Sequence, residues 1–289
     1  MADLKRAGAV AFSDDGNPVI NTLVMRYALQ YANMLQTPII DHSEDPHLFK
    51  DGHMNEGVMS TRLGIQGIPN AAESSMIARN IELVKLTGGA LHVAHISTAE
   101  SVELVRRAKA EGLPVTCEVT PHHLIFSDDD LTTFDTNLKM NPPLRSKKDI
   151  EASKAALKDG TVDVIASDHA PHSIEEKDVE FEAAPFGITG LETMLGAILQ
   201  HIVEPGILDL QQALHKMCIA PRQVLNLPVP KIAVGEAAEL TIFAPNQTWT
   251  VDPHAMQSQS LNTPFGGQNL PGAVFGVINN GMFWQNREE

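Results

Sequence analysis

Thiols are scarce in this sequence. Two cysteines, Cys117 and Cys218, stand far apart in 289 residues and form no C-x-x-C. That excludes a disulfide scaffold and a thiolate-held zinc module, and it fits reduced thiols in a cytoplasmic protein. Positive charge is also thin: 21 Lys and Arg face 36 Asp and Glu, a formal net charge of −15. A nucleic-acid binder needs a basic surface to meet phosphates, so that function class falls away. An anionic small substrate does not, because a few local groups decide its binding. No apolar run reaches the roughly 18 residues of a membrane span, so none is expected. The opening Met-Ala-Asp-Leu-Lys-Arg lacks the apolar core of a secretory signal. No G-x-G-x-x-G turn marks a dinucleotide site.

Hydrophobic residues make up 43% of the chain and charged residues 20%, proportions that support a folded core. The length permits one (β/α)8 barrel, which needs roughly 250 residues. Short apolar runs recur at Gly8–Ser13, Pro38–His42, Ala90–His95, Val115–Thr120 and Val162–Asp168. Helix-like segments lie between them: Val19–Gln36, Ala72–Leu86, Thr98–Ala110 and Asp149–Leu157. Gly88 and Gly89 stand as a stop signal for the second, and Thr98 as an N-cap for the third. Near-continuous apolar strands separated by helices predict an α/β fold with five βα units and a parallel sheet covered on both faces. Leu191–Ile202 and Leu210–Met217 read as further helices. Gly235–Phe243 and Ala273–Phe283 read as strands of a small β-subdomain. The expected division is 1–230 for the βα units and 231–289 for the β segment.

Chemistry-bearing residues collect at the strand ends. Asp14 and Asp15 follow the first run, His42 the second, His95 the third, and Asp168 with His172 the fifth. Each has an ordinary reading alone: adjacent acids before glycine make a turn, a lone histidine is usually a satisfied core group, and Asp-x-x-x-His can open a helix. Together they form a set of nitrogen and oxygen donors on one rim. Such donors suit zinc, manganese or iron. In barrels of parallel strands, that rim is where active sites are built.

The segments Ala-Phe-Ser-Asp-Asp-Gly, Ile-Asp-His-Ser-Glu-Asp, Ala-His-Ile-Ser-Thr, Glu-Val-Thr-Pro-His-His-Leu, Lys-Met-Asn-Pro-Pro-Leu-Arg and Ala-Ser-Asp-His-Ala-Pro-His occur in this order. Pro-Phe-Gly-Ile-Thr-Gly-Leu-Glu follows. This series resembles the motifs of class I dihydroorotases, members of the amidohydrolase superfamily of (β/α)8 metal hydrolases. The resemblance implies two zinc ions per site. One of Asp14 and Asp15 would bridge them, the family spacing to the next histidine favouring Asp15; His42 and His95 would bind the more exposed ion, and Asp168 would bind the more buried ion and shuttle the proton. Asn141 and His172 would hold the substrate, with the Phe186–Gly187 backbone at its ring amide. His122 and His123 would shape the rim. The implied reaction is the reversible cyclisation of N-carbamoyl-L-aspartate to L-dihydroorotate in de novo pyrimidine biosynthesis.

One family motif is absent: no His-x-His occurs anywhere in this sequence. In the family it lies on the first barrel strand. The expectation is therefore an incomplete barrel, strands 4 to 8, with on the order of 90 residues of βα structure missing. The more buried ion would then keep only Asp15 and Asp168, and the substrate's arginine would be gone. Two free sheet edges would invite self-association into a homo-oligomer, and the chain alone would be weak or inactive. A hydantoinase, dihydropyrimidinase or allantoinase is the competing enzyme reading. A non-catalytic scaffold for aspartate carbamoyltransferase is the competing non-enzyme reading. Leu131–Arg145 is a candidate lid, since it carries Asn141 through polar residues.

Overall fold

The computed structural model describes residues 1–285. Five short parallel strands form its central sheet: β1 (Phe12–Ser13), β2 (Ile39–Asp41), β3 (Leu91–Val93), β4 (Val115–Val119) and β5 (Val164–Ile165). They lie side by side in chain order, with β1 and β5 at the edges. Ile39 pairs with Leu91, and Leu91 with Val115, so the apolar runs stand in register across the sheet.

The helices between the strands form where local chemistry starts and stops them. Helix α1 (Thr22–Met34) begins at Asn21, whose side chain accepts from Leu23 N and Val24 N. Helix α2 (Asn70–Thr87) ends at Gly88 in the left-handed conformation, φ +67°. The next residue must also be glycine. A Cβ on Gly89 would stand 2.7 Å from the Leu29 carbonyl oxygen of α1. Helix α3 (Ala99–Ala110) is capped by Thr98, which accepts from Ser101 N. Helix α4 (Lys147–Asp159) ends at Gly160, again left-handed at φ +84°.

Met25 and Leu29 of α1, Ile77 and Val84 of α2, Val102 and Val105 of α3 and Leu157 of α4 close over Leu91, Val93, Val115 and Val119. Leu29 is fully buried. Leu29→Ala is therefore expected to lower unfolding stability by about 2–5 kcal/mol, read as a fall in the urea midpoint at unchanged slope.

The connections after β2, β4 and β5 build a second core above the sheet. Met54 and Met59 pack there with Leu131, Leu138, Met140, Leu144, Phe181 and Ile188. Met54–Asn55 and Gly67–Ile68 form a small parallel ribbon beside it. The Leu131–Arg145 stretch, expected as a lid, is part of this core: Leu131, Leu138, Met140, Leu144 and Arg145 are all buried.

Past β5 the outcome departs from expectation in detail. The helix expected from Leu191 starts at Met194, and its second half widens into a π-helical turn at Leu199–Val203. The helix from Leu210 contains a similar turn at His215–Ile219 and continues to Val224. The strand expected at Gly235–Phe243 instead spans Leu240–Thr250 (β6). The run at 273–283 splits into Asn269–Asn279 (β7) and Met282–Gln285 (β8), because Asn280 and Gly281 turn with positive φ. These three strands make an antiparallel sheet. The sheet rests on the 194–203 helix at Gly196, where a Cβ would meet Leu270 Cβ at 2.7 Å and Pro271 O at 2.8 Å. Residues 286–289 of the expected 231–289 segment lie outside the described residues. Among the described residues no helix is long and apolar enough to cross a membrane.

Candidate functional site

Three of the four expected metal ligands sit at strand ends with positive φ: Asp15 at 34°, His95 at 32° and Asp168 at 48°. A left-handed non-glycine residue costs of order 1–3 kcal/mol and persists only where surrounding structure imposes it. Its effect is to turn the side chain off the strand and over the rim.

His42 and His95, from adjacent strands, meet there. Nδ1 of His42 and Nε2 of His95 are 2.9 Å apart, with the rings edge to face at a centroid distance of 4.7 Å. Burial opposes charge on His42, but Glu44, whose Oε2 is 3.5 Å from its Nε2, together with Asp14 and Asp41, raises its pKa above the usual value. Burial, then the facing His42, lowers that of His95. The two rings share this one contact, and His95 Nδ1 is buried without a partner. Asn141 Nδ2 donates to Glu44 Oε2 at 3.2 Å, with His42 Nε2 3.4 Å away. Asn141 Oδ1 is buried and unpaired.

The two acids after β1 have different environments. Asp14 Oδ1 accepts from His42 N at 2.8 Å and Oδ2 from Val19 N at 3.4 Å. The carboxylate of Asp15 is exposed and has no such donor among the described residues. Of the two carboxylates, that of Asp15 is the unengaged one.

Asp168 Oδ2 lies 3.5 Å from Nε2 of the buried His122. Burial works to raise the Asp168 pKa, but the contact with His122 and the nearby His95 and His123 rings hold it below the usual carboxylate range. His123 plays a different part. Thr120 Oγ1 lies 2.7 Å from its Nδ1, and its Nε2 donates to Pro142 O at 2.8 Å. Burial, then the His122 ring, push its pKa well down. It is a neutral strut holding the Asn141 loop.

His172 and the Phe186–Gly187 peptide are joined: His172 Nε2 donates to Phe186 O at 2.8 Å. Gly187 has φ +120°, and a Cβ there would stand 2.5 Å from Ala170 Cβ, so the position excludes other residues. Gly187 N donates to Lys139 O at 2.9 Å. Lys139 is itself buried: its ammonium donates to Phe181 O and Glu182 O at 2.8 and 2.9 Å and lies 4.8 Å from the Phe186 ring centroid. Burial pushes its pKa down to about 8.

The imidazoles of His42 and His95 are brought together, and Asp168 stands by His122, but Asp15 does not join them. Among the described residues no group of three or more His, Cys, Asp and Glu side chains converges closely enough to hold an ion. The donor set fits zinc in part. Two nitrogens on one tetrahedral zinc lie about 3.3 Å apart when each is about 2.0–2.1 Å from the ion, close to the His42–His95 separation, and the unpaired atoms of His95, His122 and Asn141 are of the kind a bound group satisfies. Sequence reasoning missed Glu44, Lys139 and Asn262. Glu44 and Lys139 both lie inside quoted motifs, but nothing local marks Asn262.

A family model described as Dihydro-orotase-like matches residues 1–101. Curated dihydroorotases are similar along nearly all of the chain. That of Pelotomaculum thermopropionicum is 50% identical over 278 residues, covering 96% of this chain and 65% of the relative. That of Syntrophus aciditrophicus is 48% identical over 274 residues, covering 95% and 64%. That of Citrifermentans bemidjiense is 47% identical over 286 residues, covering 99% and 67%. The chain therefore spans about 65% of the length of such relatives. Among solved structures, the L-hydantoinase (dihydropyrimidinase) of Arthrobacter aurescens superposes with a TM-score of 0.88 at 26% identity, covering 99% of this chain and 67% of that one. A D-hydantoinase (dihydropyrimidinase) from Thermus sp. superposes at 0.78 with 22% identity, covering 92% and 62%, a likeness of fold alone.

Proposed function

The chain belongs to the dihydroorotase family, and from that premise we propose that it carries machinery for the reversible, zinc-dependent cyclisation of N-carbamoyl-L-aspartate to L-dihydroorotate. The observation that carries the reading is the 2.9 Å approach of His42 Nδ1 to His95 Nε2, with Asn141 and Glu44 beside it. His42 and His95 would hold zinc, and Asp15 and Asp168 are the carboxylates the family pattern adds. Zinc supplies Lewis acidity at the scissile carbonyl.

The chain's own groups do the rest. In the hydrolytic direction, Asp168 takes the proton released as water adds to the ring carbonyl. It returns that proton to the ring nitrogen as the amide bond breaks. Asn141 Oδ1 offers an unpaired acceptor to the substrate. Phe186 O and Gly187 O already have internal donors, but each carbonyl has a second lone pair for a ring N–H. His172 orients the Phe186 carbonyl.

Further parts of the proposal follow from the family pattern. The five strands correspond to strands 4 to 8 of an eight-stranded barrel, residues 1–230 belong to that barrel, and 231–289 belong to a small β-subdomain. The edges at β1 and β5 favour a homo-oligomer. Aspartate carbamoyltransferase is the candidate heterologous partner, and co-elution of the two tests it. Free thiols at Cys117 and Cys218 suit a cytoplasmic setting.

Zinc stoichiometry and turnover test the central claim. Because the sequence holds no His-x-His, one ion is expected to bind more tightly than a second, and dihydroorotate to be preferred over hydantoin and allantoin, with weak turnover. Two tightly held zincs with fast turnover would sink the incomplete-site reading. Hydantoin as the better substrate would shift the assignment to the hydantoinases, which the Arthrobacter likeness keeps in view.

A further inference from the structure

Asn262 lies far along the chain from the motifs, in the segment between β6 and β7, and is buried. Its side chain reaches two loops at once. Oδ1 accepts from His172 N at 3.2 Å, and Nδ2 donates to Ala170 O at 3.0 Å and to Gly187 O at 3.2 Å. Its backbone oxygen accepts from Thr189 N at 2.9 Å. The two loops touch each other directly, where Ala170 N donates to Ile188 O at 2.8 Å.

The segment that presents Asn262 is itself anchored. The Glu192 carboxylate accepts from Gln257 N at 2.9 Å and Ser258 N at 3.0 Å. Phe265 is buried with its ring 5.4 Å from that of Phe126. One amide therefore ties the backbone at 170–172 to that at 187 from a fixed outside point.

Only asparagine meets these demands. An amide supplies one acceptor and two donors on a short stem. Aspartate keeps the acceptor but turns a carboxylate oxygen toward the carbonyls of Ala170 and Gly187. Alanine leaves three backbone groups unpaired, and glutamine is one methylene too long for a closed pocket.

We propose that Asn262 is a positioning residue. It holds His172 and the Phe186–Gly187 peptide at their working separation and so makes the C-terminal β segment a determinant of substrate affinity. The affinity part rests on the dihydroorotase reading, while the bracing part does not.

The test uses the full chain with N262A and the near-isosteric N262D. Expected for dihydroorotate is a KM raised about 10- to 100-fold, the scale of a small misplacement of binding groups, with kcat within about threefold and zinc content unchanged. Amide exchange at Ala170 and His172 should accelerate at least tenfold beyond any change in the β3 and β4 amides. A residue serving stability alone would lower the urea midpoint and leave KM untouched, which overturns the affinity claim. Unchanged exchange at Ala170 and His172 in folded N262D overturns the brace. If the unsubstituted chain neither binds nor turns over dihydroorotate, the functional reading fails, and the exchange result still decides the brace.

Discussion

His95→Ala is expected to leave a folded chain that retains little zinc, with dihydroorotate turnover reduced about a thousandfold or more from that of the unsubstituted chain. The reasoning starts at the 2.9 Å contact between His95 Nε2 and His42 Nδ1. Losing one of two imidazoles at an already partial donor set removes the ion's main hold. A Lewis acid at the carbonyl is worth several kcal/mol, and each 1.36 kcal/mol is a decade of rate. Asp168→Asn provides the contrast: zinc at the histidine pair is expected to stay while turnover falls, since the amide cannot accept the proton. Zinc by elemental analysis, set against initial rates, separates the two. Full zinc retention in His95→Ala would remove this histidine from the ligand set.

Arg145→Met is expected to cost about 3–5 kcal/mol of unfolding stability, the usual loss when one member of a buried charge network is removed. The Arg145 guanidinium is 2% exposed and donates to Ser97 Oγ at 3.0 Å, Asn55 Oδ1 at 3.1 Å and Ile68 O at 2.9 Å. Its remaining nitrogen faces Glu73 at 3.9 Å. Glu73 is also buried and accepts from Ser97 N and Thr98 N at 3.1 and 3.2 Å. Without the cation, the buried Glu73 loses the positive group that faces it, and three acceptors lose this donor. Arg145→Lys should recover only part of the loss, because a point charge cannot fill three directions at once. Urea unfolding measures both variants, and a loss under 1 kcal/mol for Arg145→Met would mean that the network is relaxed or hydrated. Arg145 ends the Asn141-Pro-Pro-Leu segment, so the same variant should also weaken substrate binding through Asn141.

Where local chemistry controls the backbone, the sequence was readable. Thr98 caps α3 and Gly88 ends α2 because a side-chain oxygen and a left-handed glycine act within a turn of the chain. The five apolar runs became five parallel strands because strands covered on both faces have few polar positions to confuse them. Past residue 190 this failed. The small residues before β6 resemble a strand in hydropathy, yet pairing with β7 begins only at Leu240. The π-helical turns at 199–203 and 215–219 have no comparable local mark, since a widened turn answers to packing against neighbouring elements.

By itself, then, the sequence determined which residue types stand at which strand ends: Asp15, His42, His95, Asp168 and the Asn141, His172 and Phe186–Gly187 set. Spacing along a βα repeat is a local property that chain order preserves. Tertiary structure alone decided how these residues are used. It engaged Asp14 with the His42 and Val19 amides and left Asp15 free. It set Glu44 beside His42, raising the pKa of that ring, and it brought Asn262 from the far end of the chain to join two loops. Hydrogen-bond direction and proton location depend on what faces a group across space, and residues 90 apart in sequence carry no mark of facing each other.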